Sequence, residues 1–264
     1  MNLLINADDF GISDSVNLAI DYCFENNIIQ RTSLMVNMDS SDSAVELAKE
    51  HGYSDKVGLH LNLIEGVPLS EPIRHTIFYK NGIFNGQALR RQKNRFFLSK
   101  QEQTAVVCEL RMQIEKYIEY GLTLRHVDSH EHTHTNPSIF RLMFPLLKEY
   151  GFLSCRLSRN IPKCEITGVK KIYKYIFNKK VNAFNKKNQC KQWNVTYFGS
   201  QKDVDKIAAD VRFQKNSIEV EVHPNLGVDG KLKDLFYPIG LEEWIRKYRW
   251  VLCRGFVGLC GFCL

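Results

Sequence analysis

Short apolar runs alternate along the chain with stretches of helical periodicity. The first apolar run, Leu3–Ile5, precedes a helical stretch for which Ser13 is the expected N-cap. Further strands are predicted at residues 33–36, 57–63, 124–128, 154–157, near 195 and at 217–222. Helices are predicted between them at residues 43–50, 101–120, 137–150, within a lysine-rich segment and at 202–212. Strands that alternate with helices are typical of βα units, so the pattern predicts an α/β protein with a mostly parallel sheet.

Polar residues fall at the carboxyl ends of the predicted strands. In the third strand, Val57–Leu63, apolar residues alternate with Gly58, His60 and Asn62, so one face is polar. Parallel α/β folds place their functional sites at this edge, where the loops converge. A (β/α) barrel of seven or eight parallel strands is therefore the predicted architecture.

The composition fits one globular domain with a long excursion. Hydrophobic residues make up 44% and charged residues 25% of the chain, which excludes a disordered or fibrous protein. Residues from about 65 to 99 break the alternation, and loops of such length are usually functional or disordered. We expect a single domain over residues 1–264, in which this segment forms an excursion from the βα pattern.

No membrane-spanning or export segment is predicted. No run approaches the ~20 apolar residues that cross a bilayer, and the start at Met1 lacks the basic region of a signal peptide. A cytoplasmic location is therefore expected. The eight cysteines are scattered, so most are expected to be reduced and buried. Cys260 and Cys263 form a C-x-x-C sequence without a second pair, which argues against a metal or redox role.

The net charge of +7 is concentrated in one segment. Between Lys163 and Lys191 there are nine lysines, no arginine and one acid, a local balance of +8, so the remainder is near −1. No nucleic-acid reading module accompanies this basicity. The segment is interpreted as a solvated lysine-bearing helix packed on the barrel. The alternative is contact with an anionic partner, such as a polyanionic glycan or a lipid-linked sugar at a membrane surface.

Asp8 and Asp9 belong to the segment Asn6–Gly11, which directly follows the first predicted strand. Adjacent carboxylates repel each other, so both stay ionised only where a cation or a hydrogen-bond donor compensates them. The alternative is that they favour the dipole of the helix that begins near Ser13. His60 lies on the polar face of the third strand, although a lone histidine is more often a structural residue than a ligand.

Four histidines fall within the nine residues His126–His134. An extended segment would project five polar side chains to the same side: His126, Asp128, His130, His132 and His134. Imidazole is the commonest metal ligand, and the alternative is a surface histidine tract. The tract follows a hydrophobic strand and precedes a helix predicted to start at Pro137. This position favours metal binding at the rim of the barrel.

A fourth motif, Glu219–Pro224, ends the last predicted strand and contains His223. The alternative is a strand that simply ends at Pro224. Together, the four motifs present carboxylates and imidazoles from four strand ends to one rim. Such a mixed set with open positions suits Zn²⁺ and, less selectively, Mn²⁺, Co²⁺ or Mg²⁺. Three protein ligands plus water are typical of catalytic zinc.

The same motifs carry a resemblance to a known family. They read NADDFG, GLHLNL, HVDSHEHTH and EVEVHP at residues 6–11, 58–63, 126–134 and 219–224. In order and spacing, the chain resembles the YdjC-type carbohydrate deacetylases, which include chitooligosaccharide deacetylase, from residue 2 to about residue 240. The resemblance implies a (β/α) barrel-like fold and hydrolysis of N-acetyl groups on an amino sugar or oligosaccharide.

The resemblance also implies roles for individual residues. One divalent ion, zinc or magnesium ahead of manganese or cobalt, is expected on Asp9, His60 and His130. Asp8 is the expected base, and His223 the expected acid for the leaving amine. Four further residues are expected to orient the ligands or line the sugar pocket: Asn6, Asp128, His132 and His134.

The chain departs from the family in two places. From about Arg249 it is rich in glycine and cysteine and lacks the expected closing strand and helix, which leaves barrel closure open. The lysine-rich segment is this chain's own feature, so the identity of the sugar does not transfer.

Two other functions fit part of the pattern. A metal phosphoesterase acting on a sugar phosphate would also use histidines and aspartates at a barrel rim. Two-metal sites usually need more carboxylates than these motifs supply. A catalytically inactive sugar-binding protein is the non-enzyme alternative, and the complete motif set argues against it. Homo-oligomer formation is compatible with each function.

Overall fold

The computed structural model describes residues 3–160, 168–197, 217–227, 230–236, 240–243 and 245. Its strands are β1 (Leu3–Phe10), β2 (Arg31–Leu34), β3 (Val57–Leu61), β4 (Tyr79–Lys80), β5 (Ile83–Phe84), β6 (His126–Ser129), β7 (Ser154–Cys155), β8 (Asn194–Tyr197), β9 (Ile218–Val222), β10 (Pro224–Leu226) and β11 (Leu232–Asp234). Its α-helices are α1 (Asp14–Glu25), α2 (Ser41–Glu50), α3 (Glu71–Arg74), α4 (Gly86–Arg90), α5 (Gln92–Phe96), α6 (Lys100–Glu119), α7 (Pro137–Glu149) and α8 (Gly168–Lys187). Short 3₁₀ helices cover Ser54–Lys56 and His130–Thr135.

Seven of these strands form one sheet in the order β7-β6-β3-β2-β1-β9-β8. Every neighbouring pair in it is parallel. The sheet curls into a half-barrel surrounded by helices. Asn160, just after β7, donates its backbone N–H to Val195 O in β8 at 3.0 Å and accepts from Val195 N at 2.8 Å through Oδ1, so the two sheet edges approach each other. The predicted barrel-like α/β fold with seven parallel strands is confirmed.

The sheet is buried on both faces, as β3 illustrates. Val57, Leu59 and Leu61 are fully buried, but so is the alternating polar residue His60. Parallel sheets are covered on both sides because their crossover helices pack against the faces. The alternation therefore places apolar side chains on one face of β3 and polar side chains on the other, which faces the interior of the half-barrel. Neither face of this strand is exposed to solvent.

Local signals place the helix starts close to their predicted positions. The Ser13 side chain accepts from Val16 N at 3.3 Å at the start of α1. α7 begins with Pro137 in its first turn, where the missing N–H costs no helical hydrogen bond. α6 begins with a capping box in which Ser99 and Glu102 each bind the other's backbone N–H.

The excursion at residues 65–99 is an ordered part of the fold. It contains three short helices and the β4–β5 hairpin. The buried Glu109 of α6 accepts hydrogen bonds from the amides of Leu69 and Ser70 at 3.2 and 2.7 Å. A buried carboxylate that binds backbone donors fixes the start of the excursion to the main helical layer.

Several predictions fall outside the described residues. They are the helix at 202–212, the altered end from Arg249 and the C-x-x-C sequence at Cys260. The single-domain organisation stays a prediction, although the buried apolar residues of the described ranges form one cluster. In the same ranges, the helices are all too short or too polar to cross a membrane.

Ser99→Ala should lower the free energy of unfolding by about 1 kcal/mol, because it removes an acceptor of the α6 capping box. Ser40 is the N-cap of α2, but its side chain makes no capping hydrogen bond. The matched variant Ser40→Ala should therefore change stability by less than about 0.5 kcal/mol. Urea unfolding of both variants measures the difference, and equal losses would contradict the role of the Ser99 cap.

Candidate metal centre

A cavity of about 430 Å³ opens at the carboxyl ends of the central strands. Its walls come from β1, β3, β8, β9 and β11 and from the turn after β6. Six of the predicted site residues line it: Asp8, Asp9, His60, His130, His132 and His223. The other three are buried and contact residues of the cavity wall: Asn6, Asp128 and His134. The cavity therefore lies at the edge where parallel α/β folds form their sites.

A backbone irregularity in β1 lets two adjacent carboxylates face the same cavity. In a regular strand, Asp8 and Asp9 would point to opposite faces. The register between β1 and β2 shifts between Ala7 and Phe10, and Asp9 has a φ of 66°. Positive φ is uncommon for residues other than glycine and concentrates at functional sites. The irregularity re-aims one side chain, so both carboxylates line the cavity.

Asp9, His60 and His130 come together from three separate segments of the chain. Asp9 Oδ1 lies 2.7 Å from His130 Nδ1 and 3.1 Å from His60 Nε2. One potential ligand atom of each residue lies within 4.8 Å of the other two, and all three residues are buried. One carboxylate oxygen and two imidazole nitrogens form a donor set that suits zinc and related divalent ions. The residues present therefore fit a single metal ion.

The electrostatics of this cluster favour positive charge. Burial raises the pKa of Asp9, but hydrogen bonds from His130 and His60 outweigh it and hold that pKa well below its usual range. Burial lowers the pKa of His60, yet Asp128 and Asp9 raise it to about 10. Against the same cost of burial, Asp9 and Glu65 raise the pKa of His130 to about 9. The carboxylates of Asp9, Asp128 and Glu65 thus stabilise positive charge in this cluster, whether it is carried by the imidazoles or by a divalent ion.

Asp128 and Ser33 hold His60 from behind. His60 Nδ1 lies 2.7 Å from Asp128 Oδ1 and 3.1 Å from Ser33 Oγ, and Ser33 Oγ donates to Asp128 Oδ2 at 3.0 Å. These contacts leave Nε2 directed towards Asp9. A carboxylate behind a ligating histidine fixes the ring and raises its basicity. The geometry therefore gives Asp128 an orienting position and removes it from direct contact with the cavity.

Arg156 is the cation around which the buried carboxylates are arranged. Its Nη1 and Nη2 donate to the two oxygens of Asp8 at 2.6 and 2.7 Å. Nη2 also lies 2.6 Å from Asp128 Oδ2, and Nε donates to Glu219 Oε1 at 2.6 Å. Nη1 lies 3.6 Å from Glu221 Oε2. Burial opposes its charge, but the carboxylates hold the pKa of Arg156 well above its usual value. A planar fork of five donors suits this role.

The histidine tract is not extended beyond Ser129, so its side chains do not all project to the same side as they would in an extended segment. β6 ends at Ser129, and His130–Thr135 form a 3₁₀ turn. Within it, Glu131 and His132 have φ values of 48° and 54°. Left-handed backbone at two consecutive residues breaks the two-residue alternation of a strand. The histidines therefore diverge after His130.

His132 and His134 have different environments. His132 lines the cavity, where its Nε2 lies 2.7 Å from Arg159 Nη2. His134 turns into the core, with Nδ1 2.6 Å from Ser129 Oγ and its ring 5.9 Å from that of Phe177. Burial lowers the pKa of His134 to about 4. His132 therefore faces the cavity, whereas His134 supports the turn.

The excursion contacts the turn that carries His130. Arg90 of α4 binds both carboxylate oxygens of Glu131, with Nε 2.8 Å from Oε2. Glu65 Oε1 lies 3.6 Å from His130 Nε2. The excursion is thus linked to the strained turn at two points.

His223 stands at the end of β9 on the same cavity. Its backbone N–H donates to Asp234 Oδ2 at 2.7 Å, and its Nδ1 lies 4.0 Å from the same oxygen. The ring meets Phe236 edge-on at 4.6 Å between centroids. The imidazole is therefore fixed at the cavity wall with a carboxylate close to one of its nitrogens.

The remaining wall contains Glu221, Arg159 and Tyr197. Arg159 pairs with the buried Glu221 carboxylate, and its guanidinium lies 4.8 Å from the centre of the Tyr197 ring. Burial raises the pKa of Glu221 to about 7, although Arg159 and Arg156 oppose the shift. This wall offers an aromatic ring and polar groups to a ligand.

Sequence reasoning missed the residues that hold the motifs in place. Arg156 lies within the short strand predicted at residues 154–157, and a charged residue in a strand of a buried sheet was an available signal. Glu219 and Glu221 alternate with apolar residues in the last predicted strand. The same alternation placed His60 on the polar face of the third strand, so this signal was available too. Ser33 carries no such signal, because a serine in a strand is common.

The model of the family described as YdjC-like protein matches residues 2–239. The chain belongs to this family. The matched range includes each cavity residue described above, from Asp8 to Phe236.

Similar proteins of this family are named carbohydrate deacetylase. The protein from Clostridium beijerinckii is 37% identical over 155 residues, which cover 57% of this chain and 58% of that protein. The protein from Brevibacillus brevis is 36% identical over 151 residues, 57% of each chain. The protein from Danio rerio is 32% identical over 159 residues, 60% of this chain and 50% of that protein. The chain therefore matches between 50% and 58% of the length of these curated relatives.

A solved structure from Enterococcus faecalis V583, provisionally named a cellobiose-phosphate cleavage protein, has a similar fold. The TM-score is 0.65, and the alignment covers 97% of this chain and 94% of that one. At 17% sequence identity, the likeness supports the fold alone.

Arg156→Met should lower the free energy of unfolding by about 3–5 kcal/mol, because it leaves several buried carboxylates without their cation. Arg111 also pairs with a carboxylate, Glu149, but both side chains are substantially exposed. Arg111→Met should therefore change stability far less. Chemical denaturation of both variants at neutral pH tests the difference, and similar losses would contradict the central role of Arg156.

The difference in the free energy of unfolding between wild type and Arg156→Met should become smaller as the pH falls. Burial opposes ionisation of Glu219, but Arg31 and Arg156 lower its pKa to about 2. Its ionised form therefore stabilises the fold above the unfolded pKa of about 4.3, and this contribution is lost as the pH falls towards 2. Denaturation at several pH values between these limits measures the trend.

Proposed function

We propose that this protein is a metal-dependent hydrolase that removes an N-acetyl group from an amino sugar or oligosaccharide and releases acetate. The observation that carries the proposal is the meeting of five motif residues on one cavity: Asp8, Asp9, His60, His130 and His223. The names of the relatives support the substrate class.

Asp9, His60 and His130 are the proposed ligands of one divalent ion, zinc or magnesium, with manganese or cobalt as alternatives. Their close approach and mixed oxygen and nitrogen donors support this choice. When bound, the ion polarises the amide carbonyl and lowers the pKa of a water molecule towards neutrality. Asp128 keeps Nδ1 of His60 engaged, so its Nε2 is the nitrogen offered to the ion.

Asp8 is the proposed base that accepts a proton from the attacking water. Its Oδ1 accepts from Asn6 Nδ2 at 2.7 Å and from Arg156 Nη2, whereas Oδ2 accepts from Arg156 Nη1. A carboxylate oxygen has two lone pairs, so among the described contacts Oδ2 retains the capacity to accept a further proton. Arg156 holds the carboxylate in place on the cavity wall while it does so.

His223 is the proposed acid that protonates the departing amine. An amine leaves poorly as an anion, so a positioned proton donor lowers the barrier. The contacts with Asp234 and Phe236 fix the imidazole on the cavity wall, across the site from the interior network. His132, beside Arg159, is placed to contact the sugar.

The buried ion pairs weigh against a two-metal phosphoesterase. Such sites place two ions close together and need a second set of free carboxylates. Of the other carboxylates near the cluster, Asp8, Asp128 and Glu219 are bound to Arg156. Glu221 pairs with Arg159, and Glu131 pairs with Arg90. A guanidinium already supplies the positive charge that a second metal ion would provide, so the arrangement favours one-ion hydrolysis.

The purified protein should release acetate from a member of a panel of N-acetylated sugars and oligosaccharides, and a chelator should abolish the release. Phosphate release from sugar phosphates is measured in parallel. Release of phosphate without any release of acetate would favour the phosphoesterase function. Bound metal without turnover on the whole panel would favour the sugar-binding protein.

Asp8→Asn should retain the metal but lower kcat by about 10²–10⁴-fold, the usual contribution of a general base. Asp55 is exposed on the surface, so the control Asp55→Asn should leave kcat unchanged. Metal analysis and steady-state kinetics of both variants provide the test. Near-normal turnover in Asp8→Asn would show that another group is the base.

Metal binding at pH 7 should release protons. The pKa values of His60 and His130, raised to about 10 and about 9, mean that both rings are protonated before binding. Their nitrogens must lose protons to bind a metal, so affinity should rise as the pH approaches 9. Titration calorimetry in buffers of different ionisation enthalpy counts these protons. His130→Ala should lose the metal, and metal binding without proton release would contradict this set of ligands.

A further inference from the structure

A groove between α7 and α8 lies apart from the cavity that contains the proposed site. It encloses about 630 Å³. Its floor is aromatic, formed by Phe140, Phe144, Tyr173 and Phe184. The rings of Phe144 and Phe140 lie 4.9 Å apart, and those of Phe144 and Phe184 lie 5.2 Å apart. The groove can therefore accept large apolar side chains between two helices.

Four exposed cations surround this floor: Arg141, Lys148, Lys180 and Lys187. No aspartate or glutamate of the described residues lines the groove. None of the four cations forms an ion pair with a carboxylate in those residues either, while Lys148 Nζ lies 4.7 Å over the Phe144 ring. A partner that presents negative charge at the rim would gain attraction without displacing an existing pair.

The groove continues along α8 as an exposed apolar stripe. Val169, Ile172 and Ile176 are 72%, 62% and 44% exposed. At 3.6 residues per turn, these three positions lie on the same side of α8 as Lys180 and Ala183, which line the groove. Stripe and groove together extend along most of this 20-residue helix, about 30 Å. An elongated partner could contact the whole length.

The charge of α8 determines which partner fits. The helix contains seven lysines and no acid. A two-fold contact between copies of this chain would place the same lysines opposite each other, which is repulsive. A lipid surface is broad and flat and would meet the protruding stripe without filling the concave groove. An acidic amphipathic helix can both fill the groove and match the positive charge. Its apolar face enters the groove while its carboxylates face the cations at the rim.

We propose that the groove binds an acidic amphipathic helix of a partner protein. Its apolar side chains pack on Phe140, Phe144 and Phe184, and its carboxylates face Arg141 and Lys180 on the two sides. The interaction is independent of the proposed hydrolase reaction, because none of these residues lines the active-site cavity.

The test uses a fluorescein-labelled synthetic peptide of about 18 residues, long enough for five helical turns. It carries leucine or phenylalanine at positions i, i+3, i+4 and i+7 and glutamate on the other face. One control peptide has lysine in place of glutamate, and another has the acidic composition in scrambled order. Fluorescence anisotropy should show binding of the acidic amphipathic peptide that is about tenfold or more tighter than that of either control, and that weakens with salt.

Two variants of the intact protein locate the binding. Arg141→Glu combined with Lys180→Glu should weaken peptide binding about tenfold or more, because it reverses charge on both sides of the groove. Ala183→Trp keeps the charge but fills the groove from its exposed position on α8, and should weaken binding to a similar degree. Lys49→Glu combined with Lys93→Glu is the matched control, since both lysines are exposed elsewhere. It should bind the peptide like wild type.

Three results would overturn the proposal. The first is an acidic peptide that binds no more tightly than its scrambled control. The second is unchanged peptide binding by Ala183→Trp. The third is binding to vesicles of phosphatidylglycerol and phosphatidylcholine with none to the peptide, which would assign the surface to a membrane.

Discussion

One buried guanidinium balances the charge inside the half-barrel. Arg156 contacts Asp8, Asp128 and Glu219, buried side chains whose negative charges would otherwise repel one another. Arg156 also contacts Asp128, which in turn contacts His60 Nδ1, so it is connected to the cluster proposed to hold the metal. The same ion-pair network thus stabilises the interior and orients the groups that face the cavity.

Backbone strain supplies the second constraint on the site. Asp9, Glu131 and His132 all have positive φ, and each lies at or beside a residue of the cavity wall. Such conformations cost energy and persist only where the surrounding contacts enforce them. The Arg90 pair with Glu131 and the Arg159 contact with His132 provide that enforcement. The long excursion and the segment after β7 are therefore parts of the site and not only connections.

The lysine-rich segment combines two surfaces on one helix. Phe177, Val181 and Phe184 of α8 pack into the core, as the interpretation of a helix attached to the barrel requires. The first half of α8 instead exposes apolar residues next to its lysines. Because a helix repeats every 3.6 residues, its buried face and its exposed face of lysines and apolar residues reach different neighbours from one short stretch of sequence. The basic charge thus belongs to a surface distinct from the proposed chemistry.

The sequence by itself determined the alternation of strands and helices, the parallel sheet and the four polar motifs at its carboxyl edge. These features depend on local periodicity and on residues such as Ser13 and Pro137, so neighbouring positions suffice to reveal them. Only the tertiary structure decided that Asp8 and Asp9 face one cavity, that the histidine tract turns after His130, and that Arg156 joins carboxylates from three strands. Those outcomes depend on contacts between residues far apart in the chain and on irregular backbone geometry, which local periodicity does not encode.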